Sequence, residues 1–257
     1  MLDIVKSLTD LMNIAGLSPQ AQQVAPTAKT PEGLFQVLGK EKLAPDAVNV
    51  LAHGMPEQKS VFWACKSTDL VSGQVSPEDM AAKMAAEKWV KAPTLANQTA
   101  AAEAAAKTDF QGPGAWAAQA AAWAKPTAPN LPKPTDGLPS EAVQAMDLAQ
   151  QQASTGKAVA GSVNIAAAMK NDPAIMNKIS APAIPQFKLP AIPGLETPAF
   201  PDLKPPAIPG LKMPAVPVPA APQIPAMTPK ELDATSKALD PFLKLGMDIA
   251  QGKISWT

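Results

Sequence analysis

The sequence predicts an all-α fold: an alanine-rich domain of antiparallel helices, with a long extended proline-rich octapeptide-repeat insertion before the last helices. Three observations lead there. First, a hydroxyl residue precedes proline, with an acid in the first turn, at Thr30-Pro31-Glu32, Ser76-Pro77-Glu78-Asp79 and Thr228-Pro229-Lys230-Glu231. Each is an N-cap followed by proline at the first helical position and a carboxylate that complements the helix dipole. Second, no stretch shows the alternation or β-branched density of a strand. Third, 46% of residues are hydrophobic but only 4% aromatic, with no tyrosine, so alanine must supply much of the core. Alanine buries little area, and its helices must approach closely around a few large wedges.

From these starts, apolar periodicity predicts helices at about 2–15, 31–39, 45–53, 56–72, 77–91, 95–107, 114–124, 139–154, 157–170 and 229–251. The last is expected to break in two at Asp240-Pro241, because proline cannot sit unkinked inside one helix. Residues 125–138, with four prolines and a glycine, read as a linker between helical subclusters. The expected organisation is 1–50, N-terminal helices; 51–180, the helical domain; 181–227, the extended repeat; and 228–257, C-terminal helices that complete the domain.

Trp63, Trp89 and Trp116 fall one to each successive helix, with Trp123 two turns further along. They are expected to be core wedges, set in a seam of Ala81, Ala82, Ala85, Ala86 and the run from Ala100 to Ala106. Cys65, inside Phe62-Trp63-Ala64-Cys65, is expected to be a buried structural thiol. His53 precedes Gly54 at an expected helix end and reads as a cap or surface residue. Glu78/Asp79 and Glu231/Asp233 are explained by the helix N-termini on which they stand.

The strongest pattern is a proline repeat. Pairs three residues apart recur every eight residues, from Pro182/Pro185 to Pro222/Pro225. The unit, Pro-Ala-Ile-Pro-x-Leu-x-x, puts Ile184, Ile192, Phe200, Ile208 and Val216 at its third position. Phe187, Leu195, Leu203 and Leu211 occupy its sixth. Proline at this density excludes helix and central strand and favours polyproline II, with a reach of roughly 150 Å at ~3.1 Å per residue. A spacer needs no large apolar residue at a fixed place in each repeat. These nine residues are therefore expected to form a docking strip for another protein or for the chain's own domain, with a solvated spacer as the alternative.

No catalytic, metal or cofactor site is expected. The chain has one histidine and one cysteine, no glycine-rich phosphate loop, and no cluster of metal-ligating residues. It is expected not to be an enzyme. All 22 basic residues are lysine, balanced by 22 acids. Without arginine or a basic surplus, nucleic-acid binding is not expected. Asp3 and Asp10 interrupt the N-terminal apolar stretch, so neither a signal peptide nor a membrane-inserting helix is expected there. The expected place is the cytoplasm, with any export by a route that needs no cleaved signal.

Several phrases together resemble a bacterial all-helical domain of unknown function encoded beside the spike genes of type VI secretion systems. They are Pro56 to Cys65 (PEQKSVFWAC), Ala85 to Val90 before Pro93, Ala115-Trp116-Ala117-Ala118, Ala121-Ala122-Trp123, Val159-Ala160-Gly161, Gly246 to Gly252, and Trp256. The likeness covers about 50–180 and 228–257; where the family is expected to carry arginine after the cysteine, this chain has Lys66. The first phrase also resembles a helical-hairpin family found among bacterial toxin-immunity proteins. The resemblance implies an adaptor or chaperone-like accessory protein, without catalytic residues, that binds effector or spike proteins of a contractile secretion system. The alternatives are an immunity protein that neutralises a toxin, or a structural binding protein unrelated to secretion.

Overall fold

A computed structural model describes residues 2–108, 110–124, 155–171 and 229–256, the last stretch with its side chains from 233 onward. The described residues form ten α-helices and no strand, so the fold is all-α. The helices are α1 (Leu8–Ile14), α2 (Pro19–Val24), α3 (Pro31–Lys40), α4 (Ala44–Gly54), α5 (Glu57–Asp69), α6 (Pro77–Lys91), α7 (Leu95–Ala106), α8 (Pro113–Trp123), α9 (Thr155–Asn171) and α10 (Pro229–Ala250). A 3-10 turn, Ala25–Thr27, joins α2 to α3.

Two of the three expected caps act as expected, and the third, Thr228, lies outside the described residues. The hydroxyls of Thr30 and Ser76 accept from the N–H groups of Gly33 and Asp79, and Ser7, Ser18 and Thr94 cap α1, α2 and α7 in the same way. Besides shifts of up to three residues at other helix ends, two features differ from expectation. The first helix begins at Leu8, because the residues before Ser7 lie as an extended strap: Val5 N–H donates to Gly54 O (2.8 Å), and Asp3 N–H to Ala250 O (3.1 Å). The second difference is α2, a helix where none was expected. Its cap is completed from outside, as the N–H and hydroxyl of Ser18 both donate to the buried Asp46 carboxylate (2.6 and 2.8 Å).

Asp79 follows the same rule and corrects its expected role. It stands in the first turn of α6, but its carboxylate caps α8, accepting from Gly114 N–H (2.9 Å) and Ala115 N–H (2.7 Å). Burial pushes the Asp46 and Asp79 carboxyls up, against the pull of these donors. Two early helices thus each lend a carboxylate to the start of another helix.

α8 lies at the centre, against α5, α6, α7 and α9, and α9 also packs on α4 and α5. α8 carries most of the alanine seam, with Ala115, Ala117, Ala118, Ala120 and Ala121 all buried. The expected contributors are buried only at four-residue steps, Ala82/Ala86 and Ala101/Ala105, while Ala81, Ala100 and Ala106 face solvent. Nor do the tryptophans mark successive helices. Trp63, Trp89 and Trp116 are buried on α5, α6 and α8, and α7 between the last two has none. Trp123 is half-buried at the end of α8.

α10 is one continuous helix, and this corrects the expected break at Pro241. Pro241 lies on its exposed face, and one turn earlier Lys237 is exposed too, so the carbonyl that loses its donor can be hydrated. Buried Leu239, Phe242 and Leu243 hold the helix on both sides of the proline. α10 packs on α4, α5 and α9. Near its start, Lys42, in a left-handed conformation (φ 57°), pairs with Asp233 (2.6 Å) and accepts the Ser236 hydroxyl on its carbonyl (2.6 Å). The expected boundary between 50 and 51 falls inside α4, where Val50 and Leu51 are both fully buried. The expected helix at 139–154, the linker at 125–138 and the proline repeat lie outside the described residues.

Candidate functional site

α5 and α6 run side by side, and four-residue spacing puts Phe62 and Lys66 of α5 on one stripe, with Lys83, Glu87 and Lys91 of α6 on a facing one. The third wall is the turn after α10. Lys253 N–H donates to Asp248 O (2.8 Å) and Gly252 N–H to Ile249 O (3.0 Å), a Schellman pairing that needs the positive φ of Gly252 (71°). This turn sends the chain back over α5, where Trp256 meets Phe62 edge-on with ring centroids 5.6 Å apart. Between the walls lies a cleft of about 400 Å³, lined by these side chains with Val90 and Ser255.

The charges at its floor are interlocked. Lys83, its side chain 9% exposed, pairs with Asp69 (2.7 Å) and Glu87 (2.8 Å). Lys66 pairs with Asp69 (2.8 Å), lies 3.9 Å from Glu87, and sits over the Phe62 ring at 5.6 Å. Burial pulls the Lys83 ammonium down, but its two carboxylate partners hold it above the ordinary lysine value. Asp69 is pushed up by burial, yet the hydrogen bonds from Lys66 and Lys83 keep it below the ordinary carboxylate value. Half-buried ions of this kind tolerate burial because each has a partner. Lys91, at the mouth, makes no ion pair among the described residues.

Cys65 lies behind this cluster, fully buried, with Sγ 3.9 Å from Lys83 O. Burial, with Glu87 adding to it, drives its thiol far above the ordinary value, so it stays protonated. Cys65→Ala should lower stability by about 1–2 kcal/mol, the cost of a small cavity, and leave partner capture unchanged. Loss of capture with an unaltered melting curve would overturn that assignment.

His53 is not the cap or surface residue expected. It is 5% exposed, its ring pressed against Gly156 where α9 crosses α4. Burial lowers its pKa to about 4, helped by Lys157 and Lys6, so it is neutral at pH 7. Among the described residues no three His, Cys, Asp or Glu gather as a metal site would need, and no helix is long and apolar enough to cross a membrane.

The structure thus buries Trp63, Cys65, Trp89 and Trp116 and leaves Trp123 half-buried. The expected strip residues Ile184, Phe187, Ile192, Leu195, Phe200, Leu203, Ile208, Leu211 and Val216 lie outside the described residues. The cleft was not foreseen. Its local signals were the Lys83–Glu87 and Lys66–Asp69 spacings, and both read equally well as surface helix pairs.

The sequence profile of a family of unknown function, DUF6931, matches residues 34–184, more than half of the chain. The chain belongs to the DUF6931 family. Comparison with curated proteins and with solved structures gives no match. The DUF6931 match runs from α3 through α9. It includes the α5 and α6 walls of the cleft and leaves out α1, α2, α10 and the Trp256 wall. Of the two stretches that carry the resemblance, it covers 50–180 and not 228–257.

Proposed function

We propose that the protein is a non-enzymatic adaptor or chaperone-like accessory of a type VI or related contractile secretion system, linking effector or spike proteins. The observation that carries the protein-binding part is the octapeptide register. An apolar side chain recurs at the third position of six successive proline repeats, in a connection that leaves from α9 and returns at α10. That order suits polyproline II docking, in which a preformed extended segment lies along a partner's groove and side chains at fixed repeat positions fill its pockets. The described body adds support. Its thiol and imidazole are walled in, and the carboxylates of its cleft are already taken by lysines. The link to secretion rests on the phrases quoted for the family resemblance. On this reading the protein is cytoplasmic and leaves the cell, where it does so, with the apparatus.

A pull-down from the native organism tests this. Full-length protein should retain a spike or effector protein, and protein lacking 182–225 should retain much less. Equal capture by both would make the repeat a spacer. Capture of a single cognate toxin by both would favour the immunity reading, which the 56–65 phrase supports.

A further inference from the structure

We propose that the cleft between α5, α6 and the turn after α10 binds an acidic, extended segment of a partner protein, anchored by one apolar side chain. The inference rests on the protein-binding reading above and names a second contact, separate from the repeat. Three lysines and one glutamate line the cleft. Glu87 is occupied by Lys83 and flanked by Lys66, and Asp69, behind the lining, takes a hydrogen bond from each of the two. The positive excess therefore falls at the mouth, on Lys91 and the outer face of Lys66. An anion is complementary there, and a cation is not.

Beside these charges the cleft has one open apolar element. It is the ring of Trp256, half-buried and edge-on to Phe62, since Phe62 and Val90 themselves are nearly fully buried. An aromatic ledge beside ammonium groups suits an apolar side chain followed or preceded by carboxylates. About 400 Å³ holds one or two side chains, not a helix. A polyanion such as nucleic acid fits poorly. The chain has zero net charge to steer one and no arginine to grip its phosphates.

The test uses full-length protein and two fluorescein-labelled decapeptides, one with glutamates flanking a central Leu-Pro and one with lysines in their place. Anisotropy titration should show the acidic peptide binding at least about ten-fold tighter than the basic one. Its affinity should fall when salt is raised from about 0.05 M to about 0.5 M. Lys91→Glu and Trp256→Ala should each weaken it by about ten-fold. Lys91 is exposed, so Lys91→Glu should keep the parent circular dichroism, with only a small loss in melting temperature from the acid at the end of α6, even if Trp256→Ala does not. Equal binding of both peptides, no binding of either, or an unchanged affinity in Lys91→Glu overturns the proposal. Protein lacking 182–225 should bind the acidic peptide as the parent does. If the peptide titrations fail while the full chain still captures its native partner through the repeat, the adaptor reading stands and the cleft has no part in it.

Discussion

Trp63→Ala is expected to lower stability by about 3–5 kcal/mol, the range for deleting a fully buried aromatic. Against a whole-domain stability of roughly 5–15 kcal/mol, that leaves a marginal fold. The indole is where α10 docks. Its N–H donates to Phe242 O (2.9 Å), and Gly246, one turn on, approaches its face so closely that a Cβ there would lie 2.6 Å from Cε2 and 2.8 Å from Leu51 Cδ2. The ring cannot move aside, being fully buried and tied at its nitrogen. Gly246→Ala should therefore cost about 1–3 kcal/mol by overpacking. The two changes should be strongly non-additive, since the alanine methyl added at 246 finds room once the indole is gone. Urea melts of the parent, both single variants and the double variant measure this. Additive losses would show that Gly246 and Trp63 do not share one contact.

Acid should weaken the fold through His53 by roughly 2–3 kcal/mol between pH 7.5 and 4.5. The folded pKa of about 4 lies below the ordinary 6.5, so folding favours the neutral ring. That contribution is whole above pH ~6.5 and drains away as pH falls towards ~4. Burial is the main cause, and the charges that face the ring, Lys157 and Lys6, are both cationic. Asp46 and Asp79, pushed up by burial, tilt stability the other way in acid. They are present in both parent and His53→Gln, so the difference between the two pH profiles reports His53. Parallel profiles would show that the imidazole gains its proton without cost to the fold.

What the sequence showed, and what it hid, divides by range. Caps at Thr30 and Ser76 act within three residues, and the helices they start lie where the sequence predicts. Ser18-Pro19 carries the same signal, but its helix is six residues long and too short to show apolar periodicity. Asp79 has a sufficient local explanation on α6, and nothing near it in sequence reveals that its carboxylate serves α8. His53 beside Gly54 looks like a helix end, and it is one; its burial comes from α9, about a hundred residues later. The break expected at Pro241 follows a local rule that holds unless tertiary contacts grip both flanks, as those of Leu239 and Phe242 do. The cleft joins α5, α6 and the residues after α10, and so it could not be seen from any one of them.

The Lys42 clasp has a mechanical consequence. A partner that pulled on the chain between α9 and α10 would load α10 from its first turn. Among the described side chains, the first restraints there are the exposed Lys42–Asp233 pair and the Ser236 hydroxyl on the Lys42 carbonyl, one turn further on. A solvated ion pair of this kind yields easily. Behind it stand Leu239 and Phe242, and then the indole of Trp63 tied to the Phe242 carbonyl. Tension would thus meet a soft stage and then a hard one. The opening turns of α10 can peel and lengthen the tether while the core keeps its grip, so the body would yield under load by a few turns before it yields as a whole.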